Sequence, residues 1–510
     1  MAQASSPRYA EVSSLEPGAP MTLALAILGG LLALVVVYDL TQKKHAILRN
    51  FPVVGHFRYL FEGIGPELRQ YIVTDNDEER PFSRDERSWV YASAKKENNY
   101  FGFGTDNDLE NAASTIIVKH AAFPKQEPLP GEEGYDALHR IACAKAWGAA
   151  RGRAKPYLPQ STHYVSAMSY GSLSARAVEA LNRGCAIAHA LHNTGEGGIS
   201  DHHRAGGDLV WQLGTGYFGA RDAQGRLDME RLVEGCARDP VRAVEIKLSQ
   251  GAKPGRGGVL PGGKITPEIS RVRGIPQGVD CISPAAHTAF SDVDSLIDLC
   301  EEIADRTGLP VGIKSAVGEE AFWQDLARRM RERGCGPDMI AIDGGEGGTG
   351  AAPLVFADHV ALPFKLGFRR VRRFFEDEGL ADEIVWTGSG RLGSPLPSLL
   401  AFALGCDMIA IARQPMLALG CIQAQQCHTG HCPTGVATHN RWLVRGLDPT
   451  DKAARVANYL VTLRKETMWL VRAIGVAHPS EVTLEHFEVL APGYQSRPAA
   501  EVFGRTGGTS

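Results

Sequence analysis

The sequence predicts an α/β protein built on a (β/α)8 TIM barrel, with an N-terminal cap region and a single N-terminal transmembrane helix. Between residues 164 and 413, short apolar runs alternate with helical stretches, which is typical of parallel strands joined by crossover helices. Eight such runs occur. The whole array is close to the roughly 250 residues of a barrel of this type.

The eight predicted strands are short, mainly apolar runs. In order they are YVSAM (164–168), IAHALH (187–192), DLVWQL (208–213), AVEIKL (243–248), PVGIK (310–314), DMIAID (338–343), EIVWTG (383–388) and DMIAIA (407–412). Helices are predicted between most of them, at 174–188, 293–307, 320–334 and 394–405. In this fold the reactive groups stand on the loops that follow the carboxyl ends of the strands, so we expect the chemistry there.

Composition narrows the possible classes of function. The chain has 510 residues, of which 44% are hydrophobic, which is enough for a large core and more than one domain. Its net charge of −4, without long basic runs, excludes nucleic acid as a partner. Most of its ten cysteines are scattered singly, which indicates a reducing compartment and not a disulfide framework.

One strongly apolar segment lies near the N-terminus. Residues 21–38, MTLALAILGGLLALVVVY, carry no charge and are long enough to span a bilayer as a helix. Lys43, Lys44 and Arg49 follow the segment, so the positive-inside rule places the catalytic part in the cytoplasm. We expect a single-pass protein of the cell inner membrane, and the alternative is a buried helix of a soluble protein.

The predicted organisation has five parts. They are an N-terminal tail (1–20), the transmembrane helix (21–38), a cap region (50–150), the barrel with its cysteine motif (151–475) and a C-terminal tail (476–510).

Two glycine-rich loops follow the sixth and seventh predicted strands, at 342–353 and 387–395. Glycines let backbone N–H groups surround an anion, and barrels often bind phosphate at the loops that follow strands 7 and 8. A third glycine pattern, GTGYFG at 214–219, does not open a clear helix of a dinucleotide-binding unit. A bound flavin mononucleotide, FMN, therefore fits the sequence better than a nicotinamide cofactor.

Candidate cofactor-binding residues stand at or after the strand ends. They are Ser169, Gly171, Gln212, Lys247, Lys314, Asp343, Gly344, Gly345, Gly348, Gly350, Gly388, Gly390 and Arg413. Lys247 and Lys314 each end an apolar strand, and a cation there stabilises a reduced flavin. A buried ion pair with a carboxylate such as Asp343 is the alternative for either lysine.

The loop at 250–274 carries five cationic residues, among them Lys253 and Arg273. A solvated loop is one interpretation. The other is a clamp for a small dianionic substrate, because arginine offers a fork that matches a carboxylate and lysine offers a point charge.

Cys421, Cys427 and Cys432 lie within twelve residues. Three thiolates can hold an iron–sulfur cluster that lacks one corner. A zinc site would recruit a fourth ligand, for which His428 or His431 is available. The spacing alone leaves both possibilities open.

Five motifs together resemble the flavin-binding synthase domain of glutamate synthases, across residues 150–475. They are SAMSYGSLS, NTGEGG, IKLSQGAKPGRGGVLPG, GGEGGTGAAP and ALGCIQAQQCHTGHCPTGVAT. The resemblance implies a barrel that binds FMN, and a 3Fe-4S cluster on the three clustered cysteines. It also implies that 2-oxoglutarate and ammonia give an imine that reduced flavin converts to L-glutamate, with Lys253, Arg273 and Glu196 as catalytic residues.

The chain departs from the family at two positions of the substrate loop and at its N-terminus. Val259 stands where glutamine is frequent, and Arg256 where glutamate is frequent. The start Met1-Ala2-Gln3 offers no glutaminase nucleophile, so we expect ammonia from solution or a partner, and electrons from a ferredoxin or a reductase subunit. The alternatives are a related amine transfer, such as N-methylglutamate synthesis, and an electron-transfer subunit of a membrane complex.

Overall fold

A computed structural model describes residues 19–110 and 113–504, and its centre is a closed barrel of eight parallel strands. The predicted fold class is therefore confirmed. In chain order the strands are β1 His163–Val165, β2 His192–Asn193, β3 Leu209–Leu213, β4 Val241–Lys247, β5 Val311–Ser315, β6 Met339–Asp343, β7 Val385–Ser389 and β8 Met408–Ile411. Each strand pairs with the next, and β8 closes the barrel on β1, with Ile409 opposite His163.

The prediction for the second strand was wrong over most of its length. Residues 187 and 188 belong to the helix Ala175–Ala188, and β2 holds only His192 and Asn193. The helix is capped by the Ser174 side chain and ends at His189, which has a φ of 51°. Ile187 is 51% exposed and Ala188 is buried in the last turn of this helix, so a short apolar run here does not distinguish helix from strand.

Helices surround the barrel, and the longest one, Pro449–Ile474, packs on the helix Ala175–Ala188. They are Arg84–Lys95, Ala175–Ala188, Met229–Arg238, Pro267–Arg273, Val293–Thr307, Ala321–Arg333, Leu354–His359, Phe364–Asp377, Pro395–Leu404, Arg413–Leu419, Arg441–Val444, Pro449–Ile474 and Ala499–Gly504. A Cβ atom on Gly184 would lie 2.7 Å from the Val456 side chain. The absence of a side chain at Gly184 therefore lets the helices Ala175–Ala188 and Pro449–Ile474 approach closely.

Two small antiparallel sheets accompany the barrel. One joins Ile116–Val118, Phe487–Ala491 and Gln495–Pro498, so the described part of the segment predicted as a C-terminal tail is folded. The other pairs Val259–Leu260 with Cys281–Ile282. This second pair lies in the long insertion between β4 and β5, which includes the cationic loop.

The amino ends of the strands are closed by the segment before β1. Trp147 and Cys143 pack on Tyr164, Val210 and other buried side chains of the strands. Trp147 is 2% exposed, and its backbone pairs with Tyr157. The hydrophobic core therefore lies at this end of the barrel, and the polar residues collect at the other.

The chain divides into two compact units, Met1–Arg84 and Asp85–Ser510, and the division falls inside the predicted cap region. The first unit contains the helices Ala19–Thr41, Ala46–Asn50 and Gly55–Leu68, followed by a π-helical turn, Arg69–Val73. Within it, Met21–Thr41 is long and apolar enough to cross a membrane. The predicted N-terminal tail lies outside the described residues as far as residue 18, as do residues 505–510 of the C-terminal tail.

Arg153 links the closing segment to the barrel, and we expect its loss to destabilise the fold. Its Nε atom lies 3.0 Å from Asp338, and its terminal nitrogens lie 2.6 and 2.8 Å from Glu301. Arg153→Met leaves the buried Asp338 carboxylate without this partner, which costs about 3–5 kcal/mol of unfolding free energy. The measurement is the urea unfolding curve. Arg226→Met, which removes an exposed pair with Asp222, is the control and should change the curve far less; equal effects would contradict the structural role.

Candidate active site

The candidate residues of the sequence analysis meet at the carboxyl ends of the barrel strands. Lys247 ends β4 and Asp343 ends β6, while Gln212 and Lys314 are the penultimate residues of β3 and β5. Glu196 lies in the loop after β2. The closed sheet thus carries charged side chains from distant parts of the chain to one mouth.

Glu196 is the negative centre of one side of this mouth. Its Oε1 atom lies 3.0 Å from Nζ of Lys247, which also donates to Oε1 of Gln250 at 2.6 Å. Burial alone would raise the pKa of Glu196, but Lys247, with Lys253 and Arg273 nearby, lowers it below its ordinary value. Glu196 is therefore a carboxylate at neutral pH, and Lys247 is paired with it.

Lys253 and Arg273 are buried cations of this mouth that have few acceptors among the described residues, and each is 5% exposed. Burial lowers the pKa of both groups, and the charge of Glu196 opposes that shift. Nζ of Lys253 reaches only the carbonyl of Gly257, at 3.4 Å. Arg273 donates to the Tyr170 carbonyl at 3.0 Å, yet its buried Nε has no acceptor among the described residues.

Gly171, which is predicted to bind cofactor, makes room for Arg273. Its φ is +107°, a conformation that favours glycine, and an added Cβ would lie 3.1 Å from Nη2 of Arg273. The same Nη2 atom lies 3.3 Å from Oγ of Ser169. The structure thus places Ser169 and Gly171 against the Arg273 guanidinium.

Lys314 and Asp343 form a second, looser pair deeper in the mouth. Nζ of Lys314 lies 3.7 Å from Oδ2 of Asp343 and 3.5 Å from Oγ of Ser166. Burial would raise the pKa of Asp343, but Lys314 and the N–H of Gly251 lower it. A lysine has three donors, and these long contacts leave it able to bind a further acceptor.

Gln212 contacts a carboxylate, that of Glu245, which was not predicted from the sequence. Its Nε2 atom donates to Oε1 of Glu245 at 2.7 Å, and Nδ2 of Asn193 donates to the same oxygen at 2.8 Å. Glu245 is 5% exposed and lies inside β4. A glutamate within an apolar strand was the available signal, since a charged side chain there must meet buried polar partners.

Some backbone N–H groups of the glycine-rich loop after β6 are already used in hydrogen bonds within the protein. The N–H groups of Gly344 and Gly345 donate to the carbonyls of Ser389 and Leu362. Those of Gly348 and Gly350 donate to no acceptor in the described part of the chain. Gly388 has a packing role, because a Cβ there would lie 2.8 Å from the Phe364 ring, and Gly390 lies against Gly344.

Two arginines stand beside these loops. Arg413 donates to the Glu346 carbonyl, and burial together with the nearby Arg391 lowers the pKa of Arg413 to about 10. Arg391 pairs with Glu86 at 3.2 Å. An added Cβ on Gly348 would lie 2.6 Å from the Arg413 side chain, so loop and arginine are in direct contact. Neighbouring guanidinium groups and open amides suit a phosphate, and Arg391 was missed as a site residue.

The three clustered cysteines lie in the loop after the helix Arg413–Leu419. Among the described residues, no three His, Cys, Asp or Glu side chains are grouped as ligands of one metal ion. The N–H of Gln423 lies 3.4 Å from Sγ of Cys421, and N–H···S contacts are a feature of cluster thiolates.

Burial would raise the pKa of Cys432, but N–H groups at Ala437, Thr434 and Val436 lower it. The other two thiols differ: burial raises the pKa of Cys421 to about 12 and also raises that of Cys427. Cys432 is therefore the thiol that its surroundings favour as a thiolate before any metal binds.

Lys264 joins the cysteine loop to the cationic loop and was not singled out from the sequence. It is 8% exposed, and its Nζ donates to the carbonyls of Cys427 at 2.7 Å and Ala437 at 3.3 Å. The loop after β6 touches the same region, since a Cβ on Gly350 would lie 3.3 Å from Cβ of Cys427. The cysteines are thus next to both the cationic loop at 250–274 and the glycine-rich loop after β6.

The family model described as the conserved region in glutamate synthase matches residues 154–477 of this chain. The chain belongs to the glutamate synthase family. It is accordingly an enzyme, an oxidoreductase of the glutamate synthase type. The resemblance drawn from the five motifs is confirmed.

Two relatives show how far the glutamate synthase similarity extends. The chain is 36% identical over 485 residues to the glutamate synthase large subunit-like protein YerD of Bacillus subtilis, covering 89% of this chain and 92% of that one. It is 37% identical over 321 residues to the archaeal glutamate synthase [NADPH] of Methanocaldococcus jannaschii, covering 61% and 58%. Among solved structures, mandelate oxidase with (S)-4-hydroxymandelic acid has a TM-score of 0.45 at 14% identity, covering 80% of this chain and 99% of that chain.

We expect Lys264→Met to loosen the cysteine loop, because a charged hydrogen bond to the Cys427 carbonyl contributes about 1.5–3 kcal/mol. In metal-free, reduced full-length chain, the backbone amides of the loop around Cys427 should exchange hydrogen for deuterium roughly tenfold faster, as measured by peptide mass spectrometry. Lys119→Met, which removes an exposed pair with Glu488, is the control. An unchanged exchange rate around Cys427 would show that Lys264 does not hold the loop.

Proposed function

We propose that the chain reductively aminates 2-oxoglutarate, or a similar dicarboxylate, to L-glutamate, using bound FMN and a 3Fe-4S cluster. The observation that carries the proposal is the pair of buried cations near Glu196, Lys253 and Arg273, which have unused donor capacity. Buried cations of this kind are stable only with anionic partners. Glu196 supplies one negative charge for three cations, and a dicarboxylate would supply two more.

The three residues have separate roles in this reaction. Arg273 offers a planar fork for one substrate carboxylate, and Lys253 a point charge for the other. Glu196, ionised and paired with Lys247, would bind the amine and accept a proton from it. The net change is 2-oxoglutarate, ammonia, two electrons and two protons to L-glutamate and water.

The residues present fit FMN at the other side of the mouth. Gly348, Gly350, Arg391 and Arg413 would hold its phosphate, and Lys314, Asp343 and Gln212 would contact its ring. When bound, FMN supplies the hydride for the reduction. The cation of Lys314 would favour negative charge on the ring.

Cys421, Cys427 and Cys432 would hold the cluster, which passes electrons singly from an outside donor. A ferredoxin or a reductase subunit is the class of partner we propose as that donor. Support comes from the N–H···S contact at Cys421, the lowered pKa of Cys432 and the position of the loop against Gly350.

We further propose that Met21–Thr41 anchors the enzyme in the cell inner membrane, with the barrel in the cytoplasm. Its length and its exposed apolar side chains support the anchor. The cations Lys43, Lys44 and Arg49 that follow it support the orientation.

A related amine transfer is a second candidate, favoured by the cationic loop itself. Arg256 lies with its guanidinium 5.6 Å from the centre of the Phe356 ring, and Val259 is 39% exposed. Neither side chain offers the carboxylate or amide that is frequent there in the family. The loop therefore presents an arginine and an apolar side chain at positions where the family frequently has a carboxylate and an amide, and this difference leaves a different amine open as the substrate.

The substrate proposal predicts the behaviour of reduced flavin under anaerobic conditions. After chemical reduction, 2-oxoglutarate with ammonium should reoxidise the flavin rapidly, followed by absorbance, whereas either compound alone should not. Arg273→Lys should raise the apparent KM for 2-oxoglutarate at least tenfold although it keeps the charge, because the fork is lost. Lys253→Met should do the same at normal FMN content.

Arg271→Lys is the matched control, since Arg271 is exposed on the same helix as Arg273. Reoxidation by glutamate with an alkylamine, and not by the first pair, would replace glutamate synthesis by amine transfer. No response to either pair would identify an electron-transfer subunit.

The cluster proposal predicts iron in protein purified anaerobically. We expect three iron atoms per chain. Cys421→Ser, Cys427→Ser or Cys432→Ser should each abolish the iron signal, because the cluster has no spare protein thiolate. Cys236→Ser, outside the motif, should retain it. Stoichiometric zinc without iron would refute the cluster.

A further inference from the structure

The N-terminal unit contains an amphipathic helix, Gly55–Leu68, whose apolar side faces solvent. Phe57, Leu60, Phe61, Ile64 and Leu68 form an apolar stripe, and each is between 38% and 62% exposed. At 3.6 residues per turn these five positions fall within an arc of about 100°. The same period places the charged residues on the remaining surface of the helix.

The exposed apolar surface does not stop at the helix end. Tyr71, Ile72 and Val73 in the next turn are exposed, the last two by 71% and 75%, as are Phe51 and Val54 before the helix. A continuous apolar surface of this kind is unfavourable in water and indicates that something covers it.

Contacts within the N-terminal unit fix where this helix begins. Asp39 lies in the last turn of the helix Ala19–Thr41 and is buried. Its carboxylate accepts the N–H of Val53 at 2.9 Å and contacts Nε2 of His56 at 2.9 Å. The His45 ring also meets the Tyr59 ring edge-on, with 5.1 Å between their centres. The amphipathic helix therefore starts beside the end of the apolar helix.

We propose that the helix Gly55–Leu68 lies in the membrane–water interface, with its apolar stripe among the lipids. The proposal rests on the membrane anchor: when Met21–Thr41 spans the bilayer, Asp39 marks the headgroup level and holds the next helix there. A helix of this pattern buries its apolar face about 5–10 Å below the headgroups.

Charge supports a lipid surface as the occupant. Between residues 43 and 69, the five cations Lys43, Lys44, Arg49, Arg58 and Arg69 stand against Glu62 and Glu67, while Asp75, Asp77, Glu78 and Glu79 follow the last apolar turn. The excess of cations complements the negative surface of a cytoplasmic leaflet. A protein partner for the stripe would have no need of these charges.

Added tryptophans test the depth of each helix. The full-length chain is reconstituted in vesicles of phosphatidylcholine and phosphatidylglycerol, with bromine either high or low on the acyl chains. Phe61→Trp and Ile64→Trp report the stripe, Glu62→Trp is the matched control on the opposite face, and Leu32→Trp reports the anchor. The measurement is bromine quenching of the fluorescence gained over the parent chain.

We expect shallow bromines to quench Phe61→Trp and Ile64→Trp at least about twofold more than Glu62→Trp, and deep bromines to quench Leu32→Trp. Quenching of Leu32→Trp with none at either stripe position would leave the anchor standing and overturn the interfacial helix. Deep quenching at the stripe would overturn it too. Without quenching of Leu32→Trp, the anchor itself fails.

Discussion

The charge balance around Glu196 is the constraint on which the active site depends. Lys247, Lys253 and Arg273 reach the barrel mouth from β4 and the insertion after it, and burial disfavours the charge on the last two. Glu196 opposes that penalty and is itself kept ionised by the same cations. Removing Glu196 would leave Lys253 and Arg273 without the negative charge that opposes their burial, so these residues act as one group.

This group is held in place by elements that are far apart in the sequence. Arg273 closes a short helix within the insertion, while Tyr170 and Ser169, its partners, follow β1. Lys264, from the same insertion, holds the Cys427 carbonyl. A movement of the insertion would therefore displace both Arg273 and the contact of Lys264 with the cysteine loop.

The barrel and most of the residues at its mouth could be predicted because nearly every strand is an apolar run followed, at its carboxyl end, by polar residues or glycine. What failed has two causes: a short apolar run is compatible with either a helix or a strand, and several roles depend on contacts between distant segments. The run at 187–192 was read as strand because helix and strand cores share apolar residues. Lys264 and Arg391 look like solvated loop residues until their partners, the Cys427 carbonyl and Glu86, are brought beside them. Glu245 acquires meaning only with Asn193 and Gln212.

The closure of the barrel by Trp147 limits the routes by which molecules can reach the candidate active site. With Trp147 and Cys143 packed against the strands at their amino ends, the barrel offers no passage along its axis from that side. Under the proposed function, substrate, amine and product would enter and leave over the loops at the carboxyl ends. The cysteine loop occupies part of that same rim, so a protein delivering electrons and one delivering an amine would compete for a single face or share it in turn.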